Sequence, residues 1–134
     1  FTPPFSLHPL RANFAGQVKL AGYTNHHPQF PKNKLQITLS WQARAEPERL
    51  TRFVQLIGPD GRVYGQQDSA PDSGNYPTDL WQPGERVLDR VTFPIQADRP
   101  PGRYLLHVGL YRPATGQRLR LPSGADHVEI PLPE

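Results

Sequence analysis

The sequence predicts an all-β domain, an antiparallel β-sandwich of about seven or eight short strands. Three observations carry that expectation. Apolar and polar residues alternate in run after run, the period-2 signature of a strand with one buried face. The 17 prolines fall between those runs rather than in one tract, where they stiffen turns. No segment offers an apolar stripe of helical period, and prolines interrupt each candidate.

At 134 residues the chain fits a single domain. A chain of that size buries roughly two-thirds of its unfolded surface, enough for a core without covalent staples. Residues 1–13, "FTPPFSLHPLRAN", read as an extended N-terminal arm, because each proline disfavours helix at the residue before it. Residues 14–134 read as the sandwich. In "AGQVKLAGY", Val18 and Leu20 alternate around Lys19. In "KLQITLSWQA", Leu35, Ile37, Leu39 and Trp41 share one face, while Gln36, Thr38, Ser40 and Gln42 share a face expected to be wet. "TRFVQLIGPDGRVYGQQD" reads as a hairpin in which Pro59 and Asp60 open the turn and Gly61 supplies its left-handed residue. A long connection over 69–84 follows. "RVLDRVTFPI" then places Val87, Val91, Phe93 and Ile95 in one phase, and "RYLLHVGLY" does the same for Tyr104, Leu106, Val108 and Leu110. "RPATGQRL" closes a second hairpin around Gly116, and "DHVEIPL" gives a last short strand. The immunoglobulin-like form is favoured over a jelly-roll-like one by "DRPPGRYLLHV", where Tyr104 at a strand start fits a tyrosine corner bonded to nearby backbone.

Composition narrows the chemistry. The formal charge of +3 is spread along the chain, unlike the clustered positive surface of a nucleic-acid binder, so no nucleic-acid partner is expected. Cysteine is absent, which excludes disulfides and thiolate metal sites within this chain. No stretch approaches the ~18 apolar residues of a membrane span. The chain starts at Phe1 and contains no methionine, which reads as a processed protein or a piece of a longer one.

Asp89 is the sharpest anomaly, because alternation with Val87 and Val91 points its carboxylate into the core. Burial there demands a partner or several hydrogen bonds. Asp89 is therefore either a ligand-holding acid or an anchor for the N–H groups of the 69–84 loop, unless a bulge after Gly84 turns it outward. Trp41 lies in the apolar phase of its strand and is expected in the core. Trp81, between Pro77 and Pro83, has two readings: a cap on the end of the core, or a flat platform for a ligand. Tyr76 and Asp68 from the same stretch join Trp81 and Asp89 as candidate ligand-binding residues. No catalytic residue and no cofactor is assigned. His26 and His27 are adjacent and would diverge on a strand, and His8, His107 and His127 form no recognisable metal motif in sequence. The aspartates Asp60, Asp68, Asp72, Asp79 and Asp98 lack the spacing of a calcium loop, and a structural calcium stays open.

An ordered set of motifs, W-Q-A at 41–43, P-D-G at 59–61, D-S-x-P at 68–71, W-x-P-G-E at 81–85, P-P-G-x-Y at 100–104 and V-G-L-Y-x-P-x-T-G-x-R-L at 108–119, resembles one known module. It is the C-terminal soluble domain of bacterial membrane glycosyltransferases similar to dolichyl-phosphate-mannose–protein mannosyltransferases. The resemblance runs from about Leu20 to about Leu121. It implies a non-catalytic β-sandwich outside the cytoplasmic membrane, attached to a transferase that uses lipid-linked sugars. Its partners would be the membrane region of its own parent chain and a glycan or lipid-linked sugar acceptor. Gln55, where that pattern carries His, and Ser40, where it carries an aromatic, depart from it. The alternative is a structural or protein-interaction immunoglobulin-like domain of a cell-surface protein with no sugar role.

Overall fold

A computed structural model describes residues 8–25 and 33–132 of the chain. Within these residues eight strands run in order: β1 (His8–Phe14), β2 (Val18–Asn25), β3 (Lys34–Ala43), β4 (Thr51–Ile57), β5 (Val63–Ser69), β6 (Arg86–Pro94), β7 (Leu105–Tyr111) and β8 (Val128–Pro131). Among the described residues the helical structure is one 3-10 turn, Thr78–Leu80. Among the described residues no helix is long and apolar enough to cross a membrane. Two four-stranded antiparallel sheets, ordered β1-β2-β3-β6 and β5-β4-β7-β8, stack face to face. With β1 set aside as an added edge strand, this is the connectivity of an immunoglobulin-like sandwich.

The alternation read from sequence places the core between the sheets. Leu35, Ile37, Leu39 and Trp41 of β3 face Val54, Leu56, Leu106, Val108 and Leu110 of the opposite sheet within one buried cluster. Strand β6 alternates without a break, burying Val87, Asp89, Val91 and Phe93 and exposing the residues between them. The Pro59-Asp60-Gly61 turn forms as expected: Gly61 has φ 82, and the Gly58 N–H donates to the Arg62 carbonyl at 2.9 Å. At the second turn Gly116 has φ 77, and the returning limb touches β7 as a single bridge between Tyr111 and Arg118. The Tyr104 hydroxyl donates to the carbonyl of Pro100, completing the tyrosine corner.

Two features differ from the expectation. Residues 8–13, read as arm, belong to β1, which pairs with β2 from His8 opposite Tyr23 to Phe14 opposite Val18; residues 1–7 lie outside the described residues. The outer face of β3 is not uniformly wet either, since Thr38 and Ser40 are 6% and 3% exposed. Strand β3 is central, so Thr38 and Ser40 are flanked on both sides, by Thr24 and Gly22 of β2 and by Arg90 and Leu88 of β6.

Candidate functional site

The long connection between β5 and β6 closes one end of the sandwich, and its fastening point is Asp89. The Asp89 carboxylate is fully buried, and it meets an equally buried cation, Arg52 of β4. Arg52 Nε donates to Asp89 Oδ2 at 2.7 Å, and Nη2 donates to Oδ1 at 3.0 Å, the two-pronged geometry that suits a planar guanidinium. Trp41 Nε1 donates to Oδ2 at 3.1 Å, and the backbone N–H of Asp72 donates to Oδ1 at 2.9 Å. Each oxygen thus accepts two hydrogen bonds, the full complement of an ionised carboxylate. Arg52 is equally satisfied. Its remaining N–H groups reach the Gln67 side chain at 2.9 Å, the Gln67 carbonyl at 3.3 Å and the Ser69 hydroxyl at 3.1 Å. The pair ties one sheet to the other and holds the start of the connection.

Trp81 is 2% exposed, so neither ring face is open to a ligand while the connection keeps this conformation. Its indole N–H donates to the Tyr76 carbonyl at 3.1 Å. The Tyr76 hydroxyl lies 2.9 and 2.8 Å from the two carboxylate oxygens of Glu85, and the Gln82 N–H donates to Glu85 at 2.9 Å. Those two donors, the Gln82 N–H foremost, hold the Glu85 carboxyl below its ordinary pKa. Thr78, the buried first residue of the 3-10 turn, accepts from the Leu50 N–H at 2.8 Å and donates to the Glu48 carbonyl at 2.6 Å. Trp81, Asp89 and Tyr76 are therefore gathered into one fastening, whereas Asp68 is not.

Asp68 instead lies on the solvent face of the sheet β5-β4-β7-β8, where the Tyr111 hydroxyl donates to it at 2.8 Å. Gln66, Gln55 and His107 align across β5, β4 and β7 on the same face, and Glu129 of β8 stands opposite His107. Phe53 belongs to this outward face yet is 1% exposed. Its ring lies over Gly109, where an added Cβ would fall 2.5 Å from Cζ, and the Arg118 guanidinium covers it at 4.2 Å from the centroid. Residues 112–127 thus fold back over the sheet and bring His127 against His107, ring centroids 3.9 Å apart. Burial, and secondarily the neighbouring His127, push the His107 pKa below its ordinary value. His26 and His27 lie outside the described residues.

Sequence reasoning missed Arg52, although Leu50, Val54 and Leu56 put it in the same inward phase that exposed Asp89. It also missed the meeting of His107 with His127 and Glu129. That juxtaposition depends on the register of β8 after an irregular connection, which spacing alone does not encode.

No protein-family profile matches the chain, and no curated protein sequence matches it. Solved structures do. The C-terminal domain of Wzt aligns with TM-score 0.54 and 16% identity over 98% of this chain and 75% of that one. A beta-glucuronidase from glycoside hydrolase family 2 aligns with TM-score 0.54 and 15% identity over 82% of this chain. What they share is the fold. The chain spans 11% of the length of that beta-glucuronidase.

Proposed function

We propose that this domain is a non-catalytic accessory module of a bacterial membrane glycosyltransferase, held outside the cytoplasmic membrane as a scaffold or a weak glycan- or acceptor-binding surface. The observation that carries the non-catalytic part is the saturation of Asp89. A buried carboxylate with both oxygens filled by structural donors has no lone pair left to move a proton or hold a substrate. The attachment to a transferase rests on the ordered motifs from W-Q-A to V-G-L-Y-x-P-x-T-G-x-R-L. A sugar context draws support from the beta-glucuronidase, of which a sandwich of this fold forms a small part.

Any weak glycan contact belongs on the outer sheet face, where Asp68, Tyr111, Gln55 and Gln66 offer hydroxyl, amide and carboxylate groups beside one another. A second reading, a protein-interaction domain without a sugar role, is favoured by the immunoglobulin-like connectivity alone. A glycan array and a panel of lipid-linked sugars, probed with the parent domain and with Asp68→Ala and Tyr111→Phe, distinguish the two. Retention that both variants weaken supports the module; failure to retain any sugar, with a parent gene lacking upstream membrane spans, overturns it. The isolated domain should turn over no nucleotide sugar, glycoside or ester.

A further inference from the structure

We propose that His107, His127 and Glu129 form a binding site for a divalent transition-metal ion, with zinc the best match to the donor set. The site follows from strand pairing. Strands β7 and β8 place His107 directly opposite Glu129. His127 stands two residues before Glu129, just ahead of β8, and its ring stacks on that of His107 with centroids 3.9 Å apart.

The donor atoms converge. Glu129 Oε1 lies 3.7 Å from His107 Nε2 and 3.6 Å from His127 Nε2, and one ligand atom from each residue falls within a 4.8 Å span. Tetrahedral zinc with metal–ligand bonds of about 2.0–2.2 Å separates its ligand atoms by about 3.3–3.6 Å. Small side-chain rotations therefore bring all three donors onto one ion. The imidazoles are about a quarter exposed (22% and 24%) and Glu129 is 61% exposed, which leaves a coordination position open to water. Two histidines and one carboxylate suit zinc, copper and nickel; calcium prefers an all-oxygen shell.

A second tier of contacts orients one of the ligands. Asp126 Oδ1 lies 2.9 Å from His127 Nδ1, the carboxylate–histidine arrangement that fixes the tautomer and leaves Nε2 with its lone pair for a metal. Asp126 is itself gripped by Arg118 Nη1 at 3.4 Å, and Arg118 is seated on the Phe53 ring. An ordinary surface ion pair needs only one imidazole for Glu129. Here two partly buried rings, stacked together, direct the same nitrogen at the same oxygen.

Titration of the untagged domain with zinc chloride, followed by calorimetry and by thermal melts, tests the site. One equivalent of zinc should bind and raise the melting temperature, and calcium chloride should do neither. His107→Ala and His127→Ala should each lower zinc affinity at least about tenfold, and Asp126→Asn about 10- to 100-fold. Their metal-free melts show whether each variant is folded, and a His26→Ala/His27→Ala variant should bind zinc like the parent. Cobalt substitution should give the visible bands of a tetrahedral site, absent in Glu129→Gln. Absence of zinc binding by the parent, or equal binding by folded His107→Ala and His127→Ala variants, overturns the proposal.

Discussion

Asp89→Asn preserves the outline of the side chain but turns one acceptor into a donor facing Arg52, which then keeps a buried charge without its counter-ion. Breaking one side of a buried pair costs about 3–5 kcal/mol. Urea unfolding of Asp89→Asn should show a loss of that order. A double substitution, Arg52→Met with Asp89→Leu, should lose markedly less than the sum of the single changes, because no orphaned charge remains. Trp81→Ala empties a well-packed position that is 2% exposed and should cost about 3–5 kcal/mol, read as a large drop in melting temperature. A melt unchanged from the parent would contradict the role of Trp81 as a plug. At this scale the sequence was half legible. The phase of Asp89 announced a buried carboxylate, while the same phase argument applied to Arg52 would have named its partner.

The connection over 70–85 is the element whose form is least written in periodicity. It turns through three consecutive residues of positive φ, Asp72 at 57, Ser73 at 54 and Gly74 at 85, a short left-handed turn closed by the Gly74 N–H on the Ala70 carbonyl at 2.9 Å. Only glycine takes that conformation without steric cost, which for other residues is about 1–2 kcal/mol each. Ser73→Gly should therefore raise stability, by up to about 1 kcal/mol after glycine's own entropic cost. Asp72→Gly would keep the backbone N–H that serves Asp89. The strands were legible because alternation survives wherever one face is buried. β1 was not: Pro9, together with the prolines that precede the strand in sequence, reads as an arm, yet an edge strand tolerates a residue that lacks an N–H. The burial of Thr38 and Ser40 depends on neighbours across the sheet and is invisible in β3 alone.

Across the whole molecule, Glu48 joins segments far apart in sequence. Its carboxylate accepts from Arg112 Nε at 2.8 Å and from the Gln17 amide at 2.7 Å, while its N–H donates to the Gln17 side chain at 2.9 Å. The Arg112 hydrogen bond, followed by that of Gln17, holds the Glu48 carboxyl below its ordinary value of 4.5. The unfolded chain therefore takes up the proton first. The stabilisation is complete above about pH 4.5 and is lost as pH falls through the lower, folded value. Melting temperature followed from neutral pH downward should fall more steeply below that point in the parent than in Glu48→Gln.

The charged bond between β4 and β6 has a chemical consequence. Antibody domains join their sheets through a covalent sulfur bridge, which a thiol such as dithiothreitol can cut. This domain joins its sheets through Arg52 and Asp89 and contains no cysteine, so its folding should proceed alike in reducing and oxidising compartments.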